Sequence, residues 1–461
     1  MFDKFPDKFK DECGVFGVLG RADAANLVYL GLYALQHRGQ ESAGIAAVTE
    51  DGRIVSEKEM GYVADVFTQE RLARLPGDMA IGHVRYSTAG GSMICNAQPI
   101  VASTSKGAIA VAHNGNLTNG LELRKQLEAE GAIFNSTADS EVIVHLIARS
   151  RASDLEGAFL DALSRVQGAY AIALMSPGKI FAARDPYGFR PLVLGKLDDV
   201  HAVSSETCAF DLIAAETVRE IGAGEVIVIE ASGVRVVREA RGEREARCIF
   251  EHVYFARPDS VVFGNSVADV RQRFGAQLAR EHPVVADIVV PVPDSGVFAA
   301  LGYAQEAKIP FQYGLVRNHY VGRTFIEPKQ SIRSFGVKIK LNPVRGLVGG
   351  KRVVLIDDSI VRGTTSKKIV RMLKDAGAAE VHMRISSPPT SWPCYYGIDT
   401  PERTQLIGSS HSAEQIRDFI EADSLGYLSE EGLLEAVRNG DDPRSLYCTA
   451  CFTGNYLKPA I

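Results

Sequence analysis

No stretch of this 461-residue chain approaches the 18 consecutive apolar residues of a membrane helix, and the opening MFDKFPDKFKDE lacks the apolar core of a secretory signal. Both absences point to a cytoplasmic protein with no membrane partner. Charge bias is missing too: 51 Lys and Arg against 56 Asp and Glu leave a net charge of −5, and no DNA-reading motif is present, so nucleic acid is excluded as a partner. Any phosphate site must be local. No glycine-rich turn ends in GKT or GKS, which disfavours Walker-type nucleotide hydrolysis. Cysteine is sparse and odd in number. Seven residues without a signal peptide argue against a disulfide framework and leave catalysis, metal ligation or burial to explain them.

What is present is a hydrophobic fraction of 46%, ample for the two or three domains that about 150 residues per domain predicts. From Gly14 to about Arg238 short apolar runs (GVFGVLG, GIAAV, MAIGHVRY, GAIAVAHNG, YAIALM, KIFAAR, PLVLG, EVIVIE) alternate with Gly and polar turns. Helical spacing is confined to Ala24–Leu35, Leu121–Glu130, Ser140–Arg149 and Leu155–Val166. Strands with helices grouped in blocks predict a layered α+β domain. The charged segment Arg238–Cys248 marks a junction, and the rhythm then changes to a helix over Val267–Glu281, strand DIVVPVP, a helix, strand RVVLIDD, a helix, and strand EVHMRIS. That alternation predicts an α/β domain with a parallel sheet and ligands at its carboxyl edge. Two further amphipathic helices are expected in the tail. The expected division is a removable segment 1–12, a first domain 13–245 and a second domain 246–461.

The strongest local pattern is VVLIDDSIVRGTTS, Val353 to Ser366. A buried strand there delivers Asp357 and Asp358 to a sheet edge, where they suit ribose hydroxyls or a hydrated Mg²⁺. Arg362, Gly363, Thr364, Thr365 and Ser366 then offer backbone N–H groups and hydroxyls at a helix N-terminus as a phosphate cup. A second strand ends in Pro293, Asp294, Ser295 and Gly296, a place for pyrophosphate. The basic segment between Arg317 and Lys340 reads as a loop able to close over an anion, although a plain surface loop fits its length equally. VVLIDDSIVRGTTS resembles the phosphoribosylpyrophosphate (PRPP) motif of type I phosphoribosyltransferases. The resemblance implies Mg²⁺ beside Ser295, Asp357 and Asp358, the 5-phosphate on Thr364–Ser366, and a loop carrying Lys329 over the pyrophosphate.

In KDECGVFG, Cys13 alone is better read as a small buried residue at the start of an apolar strand. As the first residue of a processed chain it would instead carry nucleophile and base together, since an α-amine of pKa about 7.7–8.0 accepts the thiol proton. HNGNL supplies Asn114 and Gly115, either a plain turn or an oxyanion hole. Arg85 suits a carboxylate and Asp139 an ammonium, and either fits a surface charge as well. Together, CGVFG, LQHRGQESAG, GHVRYSTAG, NAQP, HNGNL and STADSE resemble, in order and spacing, the N-terminal nucleophile glutamine amidotransferases. That likeness implies a layered αββα sandwich, Cys13 as nucleophile, Asn114 and Gly115 as oxyanion donors, Arg85 and Asp139 on glutamine, and processing after Glu12.

A glutaminase joined to a PRPP site resembles the glutamine phosphoribosylpyrophosphate amidotransferases over residues 13 to 461, which implies the first committed step of purine synthesis. Glutamine and PRPP are the implied substrates, ammonia passes between sites, purine nucleotides inhibit, and the assembly is a homotetramer. Tyr254 and Arg257, just after the junction, are candidates to couple the sites. Cys448 and Cys451 form a CxxC, with Cys248 and Cys394 distant. By spacing alone zinc, a redox dithiol or burial all fit; the iron–sulfur branch of the family implies one structural 4Fe–4S cluster on the four. Cys95 and Cys208 read as ordinary residues. A PRPP-sensing regulator with a phosphoribosyltransferase fold is the rival, disfavoured because it has no use for a glutaminase half.

Overall fold

The computed structural model describes residues 13–86, 92–240, 244–318, 341–438 and 446–457. Among the described residues its first half contains thirteen strands in two antiparallel sheets. The strands are β1 (Gly14–Leu19), β2 (Ser42–Val48), β3 (Ile54–Met60), β4 (Met79–Arg85), β5 (Ile100–Thr104), β6 (Gly107–Leu117), β7 (Gly168–Ser176), β8 (Lys179–Arg184), β9 (Val193–Leu197), β10 (Val200–Ser204), β11 (Glu216–Glu220), β12 (Val226–Glu230) and β13 (Gly233–Arg238). One sheet runs β11-β9-β10-β1-β4-β2-β3 and the other β13-β12-β8-β7-β6-β5.

The unbroken apolar runs follow from burial on both faces. Along β7, Ala171, Ala173 and Met175 face the other sheet, while Tyr170, Ile172 and Leu174 face helices. Along β1, Val15 and Leu19 point between the sheets, whereas Phe16 and Val18 pack under the helix Ala24–Ala34. Successive residues of a strand point to opposite faces, so this division yields four layers, the αββα sandwich. The outer helices Gly120–Ala129, Ser140–Arg149 and Leu155–Arg165 lie within a residue or two of the segments marked by periodicity.

In the second half, β14 (Arg247–Cys248), β15 (Val261–Val262), β16 (Asn265–Ser266), β18 (Leu315–Arg317) and β19 (Leu341–Pro343) are short ribbons around one parallel sheet. That sheet is β17 (Ile288–Pro291), β20 (Arg352–Asp357), β21 (Glu380–Ile385) and β22 (Ser424–Tyr427), in this order. The helix Val267–Glu281, capped by the Ser266 hydroxyl on the Asp269 amide, packs with Val297–Ala307 on one face against Val354 and Ile356. Helices Thr364–Asp375 and Ala413–Ile420 cover the other face against Val353 and Leu355. A last strand, β23 (Tyr447–Cys448), returns from the tail to pair with β14. The tail holds the two helices expected of it, Ala413–Ile420 and Glu430–Ala436, and β22 and β23 are additions. Neither carries the long apolar alternation by which a strand is recognised.

Candidate active sites

Cys13 lies just before β1, buried, with its Sγ donating to the Tyr86 carbonyl at 3.5 Å. Antiparallel pairing of Gly14 with Val84 sets it opposite the end of β4, where Arg85 is also found. The Arg85 guanidinium is buried and donates to Glu41 at 3.1 Å. The Cys13 carbonyl accepts from Arg38 Nε at 3.0 Å, and the Val15 amide donates to Ser205 Oγ at 3.0 Å.

From the facing sheet β6 brings Asn114 and Gly115. His83 Nε2 on β4 lies 3.0 Å from the His113 carbonyl on β6, which ties the two sheets together beside the site. The Asn114 amide nitrogen is buried and has no hydrogen-bond partner among the described residues. An unmade buried hydrogen bond costs roughly 1–3 kcal/mol, so a donor left in this state is one waiting for an acceptor. Gly115 has φ +144°, and a Cβ there would sit 2.1 Å from the Ala169 carbonyl oxygen. Asp139 sits at the start of helix Ser140–Arg149, where its Oδ2 accepts from the Leu117 amide at 2.7 Å. Its charge is felt by His113, whose pKa is nevertheless lowered, chiefly by burial.

The second constellation sits at the carboxyl edge of the parallel sheet, as its alternation required. β20 ends in Asp357 and Asp358, both buried; the Asp358 amide donates to Asp357 Oδ1 at 3.0 Å and Ser359 Oγ to Asp358 Oδ1 at 2.5 Å. Gly363, at φ +79°, caps the helix that Thr364 begins, and Arg362 reaches Gln405 at 2.8 Å. On the neighbouring β17 the exit turns through a cis Pro293–Asp294 peptide to Ser295 and Gly296, and Asp294 is paired with Arg317 at 2.6 Å. A Cβ on Gly296 would meet the Ile356 carbonyl at 2.4 Å, so glycine is what lets this turn lie against β20. Lys329 lies outside the described residues, as do residues 1–12.

The four cysteines expected as a set also converge. Cys248 and Cys448 are register partners in the β14–β23 ladder, Cys451 follows within one helical turn, and the Cys394 thiol accepts from the Tyr396 amide at 3.2 Å. Burial, then the neighbouring Cys394 thiol, raises the Cys448 pKa to about 12. Cys451 is pushed well above the usual thiol range by burial, then by Cys448, Cys248 and Cys394. Among the described residues no three His, Cys, Asp or Glu side chains are gathered closely as a metal-ion site. Cys208 is buried and Cys95 exposed, apart from the four.

Arg38, Arg190, Glu206 and Glu251, whose roles no pattern in the sequence signals, are fully buried together between the halves. Arg257 does cross from one half to the other, its amide donating to Glu206 at 2.9 Å and its guanidinium to the Ala34 carbonyl at 3.2 Å.

A glutamine amidotransferase domain model matches residues 83–211, and a phosphoribosyl transferase domain model matches residues 267–386. Over 99% of its length the chain is 54% identical to amidophosphoribosyltransferase 2, chloroplastic, of Arabidopsis thaliana, covering 81% of that relative. The chain belongs to the amidophosphoribosyltransferase family. The Rhizobium etli amidophosphoribosyltransferase is 52% identical over 98% of this chain and 92% of its own, and that of Bacillus subtilis 49% over 97% and 94%. A solved structure of the B. subtilis glutamine PRPP amidotransferase, complexed with ADP and GMP, superposes with a TM-score of 0.92 at 47% identity, covering 97% of this chain and 98% of that one. Like its relatives this chain is an enzyme of the first step of purine synthesis, which transfers the amide nitrogen of glutamine to PRPP. No described helix is long and apolar enough to cross a membrane.

Proposed function

We propose that Cys13 is the first residue of the mature enzyme and attacks the glutamine carboxamide, its own α-amine taking the thiol proton. The observation that carries this reading is the buried, unpartnered Asn114 amide beside Gly115, on the sheet facing the thiol. Those two donors receive the oxyanion of the tetrahedral intermediate. Collapse of the intermediate releases ammonia and leaves a thioester on Cys13, which water hydrolyses to glutamate. Arg85 and Asp139 hold the α-carboxylate and α-ammonium of the substrate. Ammonia then attacks C1 of PRPP, pyrophosphate leaves, and 5-phosphoribosylamine is formed.

In the second site Thr364, Thr365 and Ser366, opened by Arg362 and Gly363, hold the 5-phosphate at the helix N-terminus. Asp294, Ser295, Gly296 and Lys329 border the pyrophosphate. Asp357 and Asp358 fit Mg²⁺, being hard oxygen donors placed beside a phosphate site, and the ion supplies neutralisation of the departing pyrophosphate. Free ammonia is protonated in water, so a closed passage serves the transfer. Cys248, Cys394, Cys448 and Cys451 suit a 4Fe–4S cluster, being soft thiol donors, two buried and two half-buried, with Cys448, Cys248 and Cys394 all near enough to Cys451 to raise its pKa. Its role is structural, since the reaction moves no electrons. The enzyme acts in the cytoplasm as a homotetramer, and purine nucleotides regulate it, as the nucleotides on the B. subtilis relative suggest.

The test is C13A with N-terminal sequencing of the native enzyme. The variant should lose glutamine-dependent phosphoribosylamine formation and keep the ammonia-dependent reaction. Fully glutamine-active enzyme that retains Met1 would refute the assignment.

A further inference from the structure

The carbonyl of Cys13 is bonded by Arg38 Nε at 3.0 Å, and the rest of that guanidinium is held by two carboxylates. Nη1 donates to Glu206 at 2.6 Å and to Glu251 at 2.9 Å, and Nη2 to Glu251 at 2.8 Å. All three side chains are fully buried. Glu206 belongs to the first half and Glu251 to the opening turn of the second. We propose that Glu251, although it lies in the phosphoribosyltransferase half, is a positioning residue for the Cys13 reaction, acting through Arg38. The inference rests on Cys13 being the nucleophile.

The physical need is specific. A residue at a chain terminus has no preceding peptide to anchor it, so its own carbonyl is among the few handles by which its thiol can be aimed. Arg38 grips that handle. A planar guanidinium aims only if its other nitrogens are fixed, and the bidentate Glu251 pair fixes them.

Glu251 is itself held firmly. It begins a single π-helical turn, Glu251–Phe255. Arg271, buried on the helix Val267–Glu281, donates to the His252 carbonyl and to the Ala256 carbonyl, both at 2.8 Å, and so clips the turn near both ends. Arg190 joins Glu251 at 3.5 Å and the Tyr396 carbonyl at 2.6 Å. Two guanidiniums, Arg38 and Arg190, thereby balance two carboxylates in a dry site, the condition under which buried charges are tolerated. Arg271 also lies within electrostatic reach of both Glu251 and Asp358. The set thus runs from the thiol residue to the edge of the PRPP site.

The experiment compares E251Q, R38K and C13A for glutamine-dependent and ammonia-dependent product formation. E251Q should lower kcat for glutamine by about 10²-fold, as a nucleophile misplaced by an ångström does, with KM little changed because Arg85 and Asp139 are untouched. Its ammonia-dependent rate should stay within about twofold of wild type. R38K keeps the buried positive charge but removes the Nε donor, so it should show the same selective kcat loss with its fold retained. A wild-type glutamine kcat in E251Q overturns the inference, and so does a parallel loss of both rates in R38K, the mark of a merely structural role. Glutamine turnover surviving in C13A would instead overturn the nucleophile reading beneath it.

Discussion

Cys248 and Cys448, 200 positions apart in the chain, are direct register partners in the two-residue parallel ladder that ties the tail to the junction between the halves. So short a ladder contributes little by itself; burial of Tyr447, Cys451 and Phe452 in the core also holds the tail, and a further fastener is expected. The expected one is the cluster on Cys248, Cys394, Cys448 and Cys451. Iron and acid-labile sulfide should be found in equal amounts in anaerobically purified enzyme. C448S should lose both and unfold about 4 °C lower or more, the shift that 1–2 kcal/mol produces in a domain of this size. Stoichiometric zinc without iron would overturn the assignment.

Asn114 and Gly115 should be separable from everything in the second half. N114A removes one oxyanion donor and should cost about 10²–10³ in glutamine kcat, roughly 2.7–4 kcal/mol, while the ammonia-dependent rate persists. G115A should be at least as damaging, because its Cβ would collide with the Ala169 carbonyl at a φ that side chains avoid. Normal glutaminase turnover in N114A would show that the unpartnered amide serves something else.

What the sequence made legible and what it hid divide along physical lines. The two candidate edges could be located because a strand ending in Asp357-Asp358, or one carrying His113-Asn114-Gly115 near its end, places polar residues where an apolar run stops. Both faces of β7 are buried, and its run of apolar residues announced that as well. The Arg38–Glu251 pair was invisible because charged residues ordinarily face solvent, and only the docking of the two halves removes these from water. The tail strands were hidden for a related reason: Tyr447–Cys448 is a strand only because β14 lies beside it.

Buried histidines should set an acid limit on stability. Burial holds His83 and His252 at about 3, against an ordinary 6.5. Below pH 6.5 the unfolded chain therefore binds two protons that the folded chain refuses. Asp185 acts oppositely: burial raises it to about 6, so between pH 6 and its ordinary 3.8 the folded chain binds one proton more. From these three groups the balance still favours the unfolded state by one proton, and stability should fall with falling pH by about 1.4 kcal/mol per unit between pH 6 and 5. Urea midpoints at pH 7, 6 and 5 measure this. H252Q should flatten the slope by about one proton, or ~1.4 kcal/mol per unit, and an unchanged slope would refute the assignment.

Asp358 should divide from Asn114 in the opposite way. It is buried at the end of β20, at the carboxyl edge of the parallel sheet, with Ser359 donating to its side chain and Ser387 Oγ to its backbone carbonyl at 2.8 Å. D358N keeps that shape and removes the charge that would hold a divalent ion. Both nitrogen sources meet the same ribose carbon, so glutamine-dependent and ammonia-dependent synthesis should drop together, by about 10² or more, with a raised Mg²⁺ requirement. Were ammonia-dependent synthesis to survive in D358N while the glutamine-dependent reaction fell, Asp358 would belong with Arg271 and Glu251 in the path to Cys13 rather than with the phosphoribosyl chemistry.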